Sequence, residues 1–135
     1  MRALVPLTVL LVLTACSAAP TPVPTASSAS GATCAQFGSA ASVIVAATLG
    51  NAQGAVSNDE MAAELEKGKA LLDEVQADPG SDLAAALEAL KPVTASDLAV
   101  EALDGPDTEW DRQLRKITSL CVQAGTPVEF TMPGG

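Results

Sequence analysis

This chain of 135 residues contains neither histidine nor tyrosine, so the commonest general base, metal ligand and proton shuttle are missing. The reactive groups that remain are three cysteines (Cys16, Cys34 and Cys121), scattered serines, a few lysines and one acidic run. A redox pair would need C-x-x-C spacing or a neighbouring cation to make a thiolate, and none of the cysteines has either. A serine nucleophile would need a base. Gly38-Ser39-Ala40-Ala41-Ser42 does not match G-x-S-x-G, and nothing in the sequence sets Lys67, Lys69 or Lys91 beside a particular serine. Asp104, Asp107, Glu109 and Asp111 crowd into DGPDTEWD and could gather oxygens around Ca²⁺. The run departs from the EF-hand loop, and carboxylates in a first helical turn are favoured simply by the helix dipole. No catalytic residue, metal site or cofactor is therefore expected.

The remaining chemistry lies at the N-terminus. Arg2, an apolar stretch over residues 3–13 and small residues at its exit form a secretory signal, too short to span a bilayer, which takes roughly 20 apolar residues. Leu13-Thr14-Ala15-Cys16 resembles the lipobox of bacterial lipoproteins. In that family the signal peptidase cuts before a cysteine whose sulfur carries diacylglycerol. The resemblance implies lipidation at Cys16 and a partner in the membrane itself, since two or more acyl chains anchor a protein without a spanning helix. The alternative is an ordinary signal cut near Ala18 or Ala19, with Cys16 discarded.

Residues 17–33 follow as a tether. Pro20, Pro22 and Pro24 favour extended backbone, and the Ser, Ala and Gly around them cannot bury a core. Fully extended, the tether reaches about 55 Å. The expected organisation is a signal peptide over 1–15, a lipid-anchored tether over 16–33, a helical bundle over 34–125 and an extended tail over 126–135. A short alanine-rich body behind a lipobox and a Pro/Ser tether is similar to small lipoproteins of high-GC Gram-positive bacteria. That likeness implies a location, the extracytoplasmic face of the cell membrane, and a helical fold, and no activity.

With Cys16 assigned to lipid, Cys34 and Cys121 are an even pair in an exported chain and read as one disulfide. Between them the apolar period is helical. Cys34, Phe37, Ala41, Ile44 and Thr48 form one stripe, and Met61, Leu65, Gly68, Leu72 and Val75 form a second behind a Ser57/Glu60 capping box. Leu83, Leu87 and Leu90, interrupted at Pro92 and resumed by Leu98 and Leu103, form a third. Trp110, Leu114, Ile117 and Cys121 form a fourth, with Gly125 as its stop. This predicts an all-α, up-down bundle of about four helices, the third kinked or broken at Pro92, closed by the disulfide. An even number of legs brings Cys34 beside Cys121. Five full-length legs would separate them by about a helix length, 25 Å, against the 7 Å limit between bridged Cα atoms. Residues 34–124 hold 23 large apolar side chains and 19 alanines, a small core for which a covalent staple is useful.

Without Arg2, six basic residues face sixteen acidic ones, a net charge of −10, which excludes electrostatic nucleic-acid binding. No charged residue occurs from position 3 through 58, so the first helix is neutral all round. On its wheel Ser39, Ser42 and Ala46 oppose the Phe37/Ile44 stripe, a smooth face that is either a solvated wall or a face for docking a partner protein of the envelope or a second copy of the chain. In the tail, Val128, Phe130 and Met132 alternate with polar residues and are expected to fold back on the bundle. The function class expected is a non-catalytic interaction or accessory module. The alternative is an extracytoplasmic carrier of a small apolar ligand, which would require an enclosed cavity of about 300 Å³ or more.

Overall fold

The computed structural model describes residues 28–104 and 107–131. They form five helices: α1 (Ser28–Ala52), α2 (Asn58–Glu74), α3 (Asp82–Leu90), α4 (Ala95–Asp104) and α5 (Glu109–Gln123). Among the described residues there is no strand. The signal peptide, the lipobox with Cys16 and most of the tether lie outside them, as do Gly105, Pro106 and Met132.

The first helix starts earlier than the sequence stripe predicts, at Ser28 instead of Cys34. Residues 28–33 are small and carry no proline, so nothing in them interrupts the helix. Thr33 then becomes a core residue whose hydroxyl donates to the Gln76 carbonyl at 2.7 Å. By length and composition Ser30–Ala52 could cross a membrane. In this fold it is the central helix, packed against both α2 and α5, with Cys34, Phe37, Ala40, Ala41, Ile44 and Ala47 all buried. A helix without a charged face suits a position with neighbours on several sides.

The α1–α2 turn is built by Gly54, at φ 71°, after which Ala55 N–H returns to the Gly50 carbonyl at 2.8 Å. The next helix opens on the expected capping box: Ser57 Oγ accepts from Glu60 N–H at 3.3 Å, and Ser57 N–H donates to Glu60 Oε2 at 2.9 Å. Met61, Leu65, Gly68, Leu72 and Val75 are buried as the stripe predicts. Gly68 sets the closeness of the α1–α2 contact, because a Cβ there would lie 2.6 Å from Ile44 Cγ1 and 3.4 Å from its backbone N.

Pro92 splits the third region in two. Its ring cannot continue the helix. The chain restarts at Thr94, whose Oγ1 accepts from Asp97 N–H at 3.1 Å while Thr94 N–H donates to Asp97 Oδ2 at 2.8 Å. The halves find different partners, α3 on α5 and α4 on α2. Five helices still bring the cysteines together because α3 and α4 have only 9 and 10 residues. The Thr33–Gln76 bond sets the end of α2 beside the start of α1. Trp110 and Leu114, near the start of α5, lie beside the far half of α1. The two short helices together therefore return the chain over one bundle length, and α5 runs back antiparallel to α1. Cys34 and Cys121 then bond with their Cα atoms 5.8 Å apart, both fully buried.

Past Gly125 (φ 77°) the helix end is closed by Thr126 N–H to Cys121 O at 2.9 Å and Gly125 N–H to Val122 O at 3.0 Å. The tail then folds back along α1 in the same direction. Thr126 faces Gly31, Val128 and Glu129 face Gly38, and Thr131 N–H donates to Ser42 Oγ at 3.0 Å. Only part of the alternating pattern packs: Val128 meets the core, whereas Phe130 is 38% exposed.

Candidate functional site

The small-residue face of α1 is less open than its wheel implies. Ser42 is 8% exposed and serves as the hydrogen-bond acceptor for the tail. Ser39 is exposed and donates to the Ala35 carbonyl at 3.1 Å, and Ala46 is half-buried. The wheel misplaces Ser42 because it considers one helix alone, whereas the tail closes over that side of α1. What remains is an open cleft of about 520 Å³ floored by Ser42, Val43, Ala46 and Ala47, with Val56 and Glu64 on its far wall.

A second open cleft, of about 570 Å³, lies between α1, α4 and α5 toward the end of the bundle opposite Ser28. Ile44, Thr48 and Leu49 supply the α1 wall, Leu98 and Glu101 come from α4, and Trp110 and Leu114 come from α5. Each side chain is positioned by a helical register. Leu98 is buried beneath the rim, and Glu101, three residues on, shares its face. Glu101 Oε2 is buried with no hydrogen-bond partner among the described residues. Leu49 is 42% exposed and Trp110, the single tryptophan, 8%.

Of the acidic run beside this cleft, Asp104 ends α4 and only Glu109 and Asp111 open a helix, the first turn of α5. Thr108 Oγ1 accepts from Asp111 N–H at 3.2 Å, with Glu109 and Asp111 in the first turn. Arg112 bonds Glu109, which holds that carboxyl below the usual range and the guanidinium above its own, with a second hydrogen bond from Gln113 also lowering Glu109. Arg115 lies 3.8 Å from Asp107. No group of three or more His, Cys, Asp or Glu among the described residues is arranged to hold a metal ion. Lys67 and Lys69 pair with Glu64 and Asp73 within α2, Lys91, just past α3, pairs with Glu88, and the Ser57 hydroxyl is taken up by its capping box.

The chain matches no family model, no curated protein and no solved structure.

The small-residue face was legible from helical spacing, although not its cover. The second cleft was not: it exists because α4 packs on α2 while α3 packs on α5, which leaves room between α4 and α5. The one signal along the chain is Glu101, a carboxylate three residues past Leu98 on the same face of α4.

Proposed function

We propose that this chain is a lipid-anchored, non-catalytic interaction module of the cell envelope, held through diacylglyceryl-Cys16 to the extracytoplasmic face of the cell membrane. The anchor rests on Leu13-Thr14-Ala15-Cys16 behind its apolar stretch. The buried Cys34–Cys121 bond supports an oxidising compartment, where such bonds persist. The observation that carries the interaction reading is the open, mostly apolar cleft at the bundle end remote from Ser28. A tether entering at Ser28 would present that end away from the membrane. The carrier alternative asks for an enclosed cavity, and both clefts are open along one side, a shape that suits a partner's surface better than a sequestered ligand.

Two experiments test this. Cys16→Ser should shift the protein from the membrane to soluble or unprocessed fractions; normal processing and a wild-type distribution would overturn the anchor. Photo-crosslinking in intact cells should join the bundle to a second protein, and a chain that crosslinks to nothing from any of its exposed faces is not an interaction module.

A further inference from the structure

We infer that the cleft beside the small-residue face of α1 is closed by this chain's own continuation, with Met132 seated against Val43, Ala46 and Val56. This goes beyond the interaction reading and does not rest on it, because that reading is carried by the other cleft.

The tail already occupies the neighbouring stretch of that face. Thr126 faces Gly31, a Cβ on Gly38 would lie 3.2 Å from Val128 Cγ1, and Ser42 Oγ accepts from Thr131 N–H at 3.0 Å. From Gly31 to Ser42 is about 16 Å along a helix axis. Thr126 to Thr131 covers that length at about 3.3 Å per residue, the rise of an extended chain. Ser42 and Thr131, where the described tail ends, both line the cleft of about 520 Å³, which runs on along α1 to Ala46 and Ala47. At the same rise Met132 and Pro133 reach about 7 Å further, as far along α1 as Ala46. The contact between the tail and α1 therefore leads into the cleft without a gap.

The residue types fit that path. Alternate side chains of an extended chain share a side, so Met132 returns to the side of Val128, which faces α1 and packs on the core. The walls it meets there are apolar, Val43, Ala46 and Ala47 from α1 and Val56 from the turn after it. An unbranched thioether side chain fills irregular apolar space of this kind. Pro133 favours extended backbone at Met132 and has no N–H of its own to satisfy. That second property matters because the next residue of this face after Ser42 is Ala46, which offers no acceptor. A segment from a partner or from a second copy would have to enter past Thr131, which already stands at the lip. Gly31, Gly38, Ser42 and Ala46 then form one continuous seat for the chain's own tail, and the cleft between α1, α4 and α5 is the one left for a partner.

The full exported chain carrying Cys16→Ser, so that no detergent is needed, is labelled with ¹³C at the methionine ε-methyl, and the Met132 signal is assigned by its loss in Met132→Leu. Nuclear Overhauser contacts from that methyl to the methyl groups of Val43 and Val56 are expected. A Met132 methyl at the shift of free methionine without contacts to α1 overturns the inference, as do contacts to other residues only. Contacts that fade on dilution assign the cleft to a second copy and overturn it as well. Hydrogen peroxide gives a second readout, since it passes one oxygen to the thioether sulfur, leaving sulfoxide and water, at a rate that follows exposure. Met132 should oxidise about tenfold or more slowly in the folded chain than in urea. Ala46→Leu fills the cleft from a half-buried helical position and should bring Met132 to within about twofold of its rate in urea while Met61 stays protected. Equal protection of Met132 with and without Ala46→Leu means that it packs elsewhere and overturns the assignment. Loss of protection at both methionines marks an unfolded variant, and the methyl contacts of the chain with Ala46 in place then decide.

Discussion

Reducing the Cys34–Cys121 bond should nearly unfold this bundle. The bridge spans a sequence separation of 87 residues, and in the chain-entropy model a closed loop of that size removes about 4.6 kcal/mol worth of freedom from the unfolded chain at 25 °C. A domain of this size built on leucine and alanine has a total stability on the order of 5 kcal/mol, so the staple is comparable to everything else that holds it. Substituting the cysteines would also remove two buried sulfurs. The cleaner perturbation is reduction in denaturant followed by refolding with reductant present, which leaves every atom of the core in place. Urea unfolding at 25 °C of the oxidised and reduced forms measures the difference directly. Two changes are expected: a loss of about 4 kcal/mol or more, and a steeper dependence on urea, because an unfolded chain without the bridge exposes more surface. A reduced form within about 1 kcal/mol of the oxidised one, with the same slope, would refute the reasoning and show that helix packing alone closes the bundle.

Gly68→Ala should lower stability by about 1 kcal/mol, because overpacking against the β-branched Ile44 costs about 1–3 kcal/mol and outweighs the roughly 1 kcal/mol that alanine contributes to a helix; a higher melting temperature would mean that α1 and α2 separate freely. Ser42→Ala removes the acceptor of Thr131 N–H, so amide exchange at Thr131 should accelerate while the helical amides keep their protection, and unchanged exchange would mean that the tail is held elsewhere. The capping carboxylates predict a pH dependence. Glu60 is held below its ordinary 4.5 first by the Ser57 backbone N–H and then by the Ser57 hydroxyl, and Asp97 is held below 3.8 by the same two groups of Thr94. Groups depressed on folding stabilise above their unfolded values and lose that contribution as pH falls through the folded ones. The stability gap between wild type and Glu60→Gln or Asp97→Asn should therefore be widest at neutral pH and close as pH drops below about 4; urea midpoints that keep a constant gap down to pH 2.5 would contradict the capping assignment.

The functional reading and the fold meet at α1. Because it carries no charge, it accepts α2 on one side, α5 on another and the tail on a third, and it still contributes one wall to each open cleft. A central helix with a charged face would have had to leave that face in solvent, and the bundle would have had one fewer place at which to hold its own tail.

What the sequence determined by itself are the features governed by local or pairwise rules. The α2 stripe, the Ser57/Glu60 box, the Gly125 stop and the pairing of Cys34 with Cys121 each follow from period, capping chemistry or the arithmetic of two cysteines. The tertiary structure decided the rest. Pro92 marks a break in any reading, but whether the halves stay collinear depends on whether they share a partner, and α3 and α4 do not. Thr33 reads as tether and is a core residue because its hydroxyl finds the Gln76 carbonyl 43 residues away. Ser42 looks solvent-facing on a wheel and is buried because residues 126–131 return along α1. Glu101 reads as one more surface charge, yet one of its carboxylate oxygens is buried where α4 borders the cleft with α1 and α5, because burial belongs to the elements around a helix, and no window along one helix contains them.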